Sequence, residues 1–142
     1  MKTSIFFLFL SLFFTSVIPV CSQSKSDSPT EQNGQKALLI QAVMCEGVQH
    51  YAPVTPAIVF SIDSGKISCF TAFDPVLENM FIYHTWYHRG RMVTRKKLSL
   101  KSPKWSTFSS IELRAIDKGP WIIEISDLRG NIFKTLRFSI TD

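Results

Sequence analysis

The chain has 142 residues, with 16 Lys and Arg against 11 Asp and Glu and a formal net charge of +5. That length allows one ordinary domain and excludes a doubly wound dinucleotide-binding enzyme with a separate substrate domain. Five of the 12 Phe lie in the first 14 residues, so part of the hydrophobicity belongs to an N-terminal signal and not to a core.

Met1-Lys2 supplies a short positive start, and Ile5 to Val20 an apolar run that ends on Pro19-Val20. The run is short for a membrane span, which needs about 20 apolar residues. With Val20-Cys21-Ser22 ahead of Gln23, residues 1–22 read as a secretory signal peptide, which implies a periplasmic or secreted protein. The alternative is a lipoprotein acylated at Cys21, although Val at the preceding position suits that processing poorly. Membrane attachment is expected only in that case. Residues 23–36 contain no apolar side chain and read as a flexible polar leader. The folded domain is then 37–142.

From Ala37 onward the apolar runs are short, rich in Ile, Val, Phe, Trp and Tyr, and punctuated by Gly, Pro, Asp and Ser. This spacing predicts about eight strands, near 38–46, 57–63, 66–71, 80–88, 91–100, 107–115, 120–126 and 132–140. The stretch ALLIQAVM (37–44) carries a weak helical period as well. Ser64-Gly65, Arg89-Gly90 and Asp127–Asn131 mark tight connections. Alternation is clearest for Trp121, Ile123 and Ile125, and for Leu136, Phe138 and Ile140. The expected fold is all-β, a single antiparallel β-sandwich, immunoglobulin-like or small-barrel-like.

Cys45 and Cys69 are the two thiols that survive signal removal. In an oxidising compartment they are expected to form a disulfide, worth about 3 kcal/mol if unstrained. No CxxC or His at ligand spacing accompanies them, so neither a metal nor another cofactor is expected.

His84 and His88 show the i, i+4 spacing of a helical metal site. Their aromatic, β-branched surroundings instead predict a strand, where they would stand about 13 Å apart. There is no G-x-S-x-G elbow, no clustered Gly loop and no convincing carboxylate pair. An enzyme is therefore not expected. A small hydrolase stays as the least favoured alternative, and it requires His84 beside a Ser, Asp or Glu in a concave pocket.

The most unusual feature is charge placement. No acid occurs between Glu78 and Glu112, while Arg89, Arg91, Arg95, Lys96, Lys97, Lys101 and Lys104 all do, interleaved with Trp86, Tyr87 and Trp105. The candidate binding residues are His84, Trp86, Arg89, Arg91, Arg95, Lys96, Lys97 and Trp105. Such a hairpin suits an anionic glycan, an anionic envelope surface or an envelope protein. Nucleic acid is not expected as the partner of an exported chain. The simpler alternative is Lys and Arg guarding an edge strand against aggregation.

Several phrases occur in a set order: M-C-E-G-V (44–48), I-S-C-F-T (67–71), H-T-W-Y-H-R-G (84–90), W-S-T-F-S-S (105–110), G-P-W-I-I-E-I-S-D-L-R-G-N (119–131) and R-F-S-I (137–140). Together they resemble the bacterial domain of unknown function DUF2914, over about residues 38–141. The resemblance implies a compact β-rich domain in a bacterial envelope or secreted setting, with no activity or catalytic residue attached. It draws His84, Trp86, Trp105, Ser109, Gly119 and Trp121 together as pattern positions, for which a structural Trp–His–Ser cluster is one explanation. The functional expectation is an exported, non-catalytic binding module. A protein–protein accessory domain of an envelope complex is the alternative.

Overall fold

A computed structural model describes residues 35–142. The expected signal peptide, Cys21 as a candidate lipidation site, and all of the expected polar leader except Gln35 and Lys36 lie outside these residues.

Nine strands form two sheets packed as a sandwich: β1 (Ala37–Gln49), β2 (Ala52–Pro56), β3 (Val59–Ser61), β4 (Lys66–Val76), β5 (Met80–His88), β6 (Arg91–Leu100), β7 (Trp105–Glu112), β8 (Gly119–Asp127) and β9 (Ile132–Thr141). The order is β2-β1-β4-β7 in one sheet and β3-β9-β8-β5-β6 in the other. Single 3-10 turns, Ile62–Ser64 and Ala115–Asp117, precede β4 and β8. Among the described residues no helix is long and apolar enough to cross a membrane.

The all-β sandwich therefore forms as the alternation predicts. ALLIQAVM is the start of β1, as the strand expected near 38–46 requires, with Ala37 and Met44 buried and Leu38 and Ile40 exposed. Two departures remain. The segment expected as one strand over 57–63 is only β3, which runs parallel to β9, followed by a 3-10 turn. The ninth strand, β2, reads APVTP; its two prolines cannot donate to a ladder on both sides, and it lies at a sheet edge.

The core lies between the sheets. Ile67, Cys69 and Phe73 of β4 meet Ile82 and Trp86 of β5, Trp121, Ile123 and Ile125 of β8, and Phe138 and Ile140 of β9. Trp121 stacks on Phe138, and Trp86 meets Phe138 edge-on, with ring centroids 6.0 and 6.1 Å apart. Burying side chains of this size contributes about 1.5–3 kcal/mol each.

A second, smaller cluster lies on the outward side of the four-stranded sheet. Cys45, Phe70 and Ala72 are buried there, with Val43 and Val48 packed against them. After Cys45 the register of β1 with β4 ends, while its pairing with β2 continues. Val48 nevertheless rests on this cluster, so the end of the β1–β2 hairpin folds back over the sheet's outer face.

The expected Cys45–Cys69 disulfide is corrected by the register. Both cysteines are free and buried. Cys45 pairs with Ser68, and Cys69 with Met44, on adjacent strands. Successive side chains point to opposite faces, so Cys45 enters the outer cluster and Cys69 the main core. A bridge needs Cβ atoms about 3.5–4.5 Å apart and facing each other, which opposite faces deny. Burial pushes both thiols above their ordinary range.

Candidate functional site

Two groupings of polar side chains stand out, one enclosed and one open. The enclosed one is built by β4, β5 and β7. His84 is 0% exposed. Its Nδ1 lies 2.8 Å from Ser109 Oγ, and its Nε2 lies 3.3 Å from Thr71 Oγ1. Thr71 Oγ1 donates to Thr107 O at 3.2 Å, so it accepts from His84 Nε2–H. His84 Nδ1 is then the acceptor for the Ser109 hydroxyl, which itself accepts from Trp86 Nε1 at 3.2 Å. The donors run in one direction, from Trp86 through Ser109, His84 and Thr71 to the Thr107 carbonyl. Desolvation by burial pushes the His84 pKa down from its usual 6.5 to about 3, keeping the ring neutral. Among the described residues, no buried side-chain nitrogen or oxygen lacks a partner.

Ser109 and His84 thus have the contact a serine hydrolase uses, without the concave opening such chemistry needs. His88, on the same inward face of β5, stacks on Trp121 at 4.6 Å and donates from Nε2 to Lys118 O at 3.0 Å. Asp117 sits nearby. Burial alone would raise its carboxyl, but the Arg114 side-chain and backbone donors hold it below the usual range. Among the described residues, no three His, Cys, Asp or Glu side chains converge as a metal site.

The basic hairpin does not present a single face. Alternation sends Arg95 and Lys97 outward and Lys96 inward, opposite His84. The Arg95 guanidinium lies 4.6 Å from the Tyr83 ring centroid and donates from Nε to Thr85 Oγ1 at 3.2 Å. The Lys97 ammonium lies 4.2 Å from the Phe81 ring centroid. Beside them Tyr87 donates to Glu124 at 3.1 Å; burial and this bond hold the phenol above its ordinary range. Arg137, across from Ile122, is exposed on the same side.

Lys96 instead crosses from β6 to the carbonyl of Ser110 on β7. Arg89 belongs to the β5–β6 turn, with φ 49° and Gly90 at φ 79°. Its Nη2 donates to Lys118 O at 3.1 Å, close against Gly119. A Cβ on Gly119 would stand 3.1 Å from that nitrogen, and its φ of +117° is itself a glycine conformation. Arg91 is exposed at the start of β6.

Residues 79–140 match the model of the DUF2914 family, whose description is protein of unknown function. The DUF2914 match runs from the start of β5 to the end of β9. It takes in His84, Trp86, Trp105, Ser109, Gly119 and Trp121. The phrases at 44–48 and 67–71 lie outside it, so it is shorter than the resemblance over 38–141. A search of curated proteins gives no match to the chain. Within the matched segment, the Trp86–Ser109–His84 chain, the Arg89–Gly119 contact and the stacking of Trp121 on His88 give five of these pattern positions a packing role.

The open grouping lies at the other sheet. A cleft of about 410 Å³ is lined by Ile40, Tyr51, Ala72, Phe73, Asp74, Lys104, Trp105 and Ser106. Of the eight sequence candidates only Trp105 reaches it. The Lys101 ammonium lies 5.3 Å from the Trp105 ring centroid. His84 and Trp86 are enclosed, Arg89 and Lys96 are bound to backbone carbonyls, and Arg91, Arg95 and Lys97 face solvent elsewhere. Sequence reasoning missed Tyr51, Asp74 and Ser106. A usable signal was the turn itself: His50-Tyr51 separates two β-rich runs where Asn-Gly is the favoured pair.

Proposed function

We propose that this domain is an exported, non-catalytic binding module of the bacterial cell envelope. It engages an anionic glycan or surface polymer through the outward face of β5 and β6. The observation carrying this reading is the placement of Arg95 and Lys97. Each cation is held outward over an aromatic ring, with Arg137 exposed on the same face. Cations steadied in this way lose less side-chain freedom when they meet an anionic surface. The enclosed His84–Ser109 pair supports binding over hydrolysis, because no substrate reaches it without opening the core.

Retention on a heparin column tests this directly. The protein is expected to elute at moderate salt, and the double variant Arg95→Glu with Lys97→Glu to pass through unretained. Lys96→Met, which removes an inward charge, is expected to elute close to the parent. Equal retention of the parent and the double variant would sink the reading. A stoichiometric partner from envelope extract that survives high salt would favour an accessory domain instead.

A further inference from the structure

The cleft beside Tyr51 is independent of the basic face and lies on the opposite sheet. Its volume of about 410 Å³ falls within the ~300–1,000 Å³ common for small-ligand sites. The floor is apolar, from Ile40 and Ala72, and the amphipathic Tyr51 ring flanks it; Phe73 and Trp105, at inward strand positions and packed against the main core, complete the lining. Around them stand Asp74, Lys104 and Ser106. Among the described residues, neither Asp74 nor Lys104 forms an ion pair. None of the polar side-chain atoms of Tyr51, Asp74, Lys104 and Ser106 is engaged with a described protein group.

Tyr51 is also held at a cost. His50 and Tyr51 form the two-residue β1–β2 turn with φ of 48° and 58°. Left-handed backbone at such residues costs roughly 1–2 kcal/mol each. The turn nonetheless carries an aromatic ring that is 79% exposed and contributes little to the core. Strained residues that give little back to folding cluster at ligand sites.

We infer that this cleft is a binding site for a neutral saccharide. A sugar ring offers a C–H face to Tyr51, and hydroxyl groups that both donate and accept. Asp74 accepts, Lys104 donates, and Tyr51 and Ser106 do either. One anion and one cation leave the rim without net charge, which suits an uncharged ligand. Stacking on the Tyr51 ring supplies affinity, and the rim sets which hydroxyls fit.

The protein contains its own reporter. Of its three tryptophans, Trp86 and Trp121 are buried at 0% and 2% exposure, while Trp105 is only partly buried and lines the cleft, so it is the one placed to respond to a ligand there. The probes are β-1,4-linked tetramers of glucose and of N-acetylglucosamine, titrated with tryptophan fluorescence and acrylamide quenching. At least one is expected to give a saturable change and to shield Trp105 from the quencher. Tyr51→Ala and Asp74→Asn are each expected to weaken the midpoint about tenfold with unchanged melting temperature. Arg95→Glu with Lys97→Glu is expected to leave it unchanged, so loss of heparin retention and loss of sugar binding are separate results. No response to either tetramer, or equal midpoints in the parent and the Tyr51 and Asp74 variants, overturns the inference.

Discussion

The polar cluster around His84 and the cleft around Tyr51 use similar chemistry to opposite ends. Each combines hydroxyls, an aromatic ring and an ionisable side chain. In the cluster every donor has an acceptor and no solvent enters. At the cleft the donors and acceptors are open. The difference comes from parity. His84, Thr71 and Ser109 occupy inward positions of three strands, so the sandwich closes over them. Ser106 and Ala72 occupy outward positions, where among the described residues the folded-back hairpin alone gives cover. Closure makes the first grouping part of the scaffold, and openness lets the second act on something else.

The largest expected effect falls on the cluster. His84→Ala leaves a cavity and strands both Ser109 and Thr71, so denaturant unfolding should show a loss of about 3–5 kcal/mol. A loss below about 1 kcal/mol would show that the cluster is not closed as described.

Acid gives the next effect. The folded His84 pKa, about 3, lies below the usual 6.5. Above pH 6.5 both states hold the ring neutral and stability is intact. As pH falls below 6.5, the unfolded chain takes a proton that the folded chain refuses. Stability should then fall by up to about 1.4 kcal/mol per pH unit. Between pH 6.5 and 4.5, ahead of most carboxylate titration, His84→Gln should flatten this slope. An unchanged slope would mean that another group carries it.

At the cleft the sign reverses. Replacing His50-Tyr51 by Asn-Gly places residues suited to φ > 0 in the turn. It should raise stability by about 1 kcal/mol while abolishing the saccharide response. If the protein is destabilised instead, the Tyr51 ring is structural and the contrast with His84 fails. The smallest effect is expected for Asp74→Asn, within about 0.5 kcal/mol in stability, because among the described residues its carboxylate has no partner to lose.

Several of these features were readable from the sequence. Strands β8 and β9 announce themselves, since Trp121, Ile123 and Ile125 alternate with polar neighbours and Phe138 and Ile140 do the same. The Arg89-Gly90 turn is equally plain. His84 looked like a core histidine because a strand separates it from His88. Its partner Ser109 comes from the other sheet, 25 residues away, beyond the reach of strand patterning; only the family resemblance, which groups His84, Trp86 and Ser109 as a Trp–His–Ser cluster, points to it. The cysteine pairing failed for a related reason. Cys45 and Cys69 were correctly placed on strands, but whether they share a face depends on register, and one residue of shift reverses the answer. Phe70 and Val48 illustrate the last gap. Their burial depends on β1 turning back over its own sheet, and local periodicity carries no mark of that bend.

The inward lysine of β6 has a consequence for how copies of this protein behave together. Lys96 spans the seam between β6 and β7, each the last strand of its sheet. A strand arriving from another molecule at that seam would have to prise the ammonium from the Ser110 carbonyl and leave it half-buried without an acceptor. The two remaining edges are poor templates as well, since β2 contains two prolines and β3 has three residues. Among the described residues every sheet edge is therefore guarded against recruiting a strand from another copy into a continuous sheet.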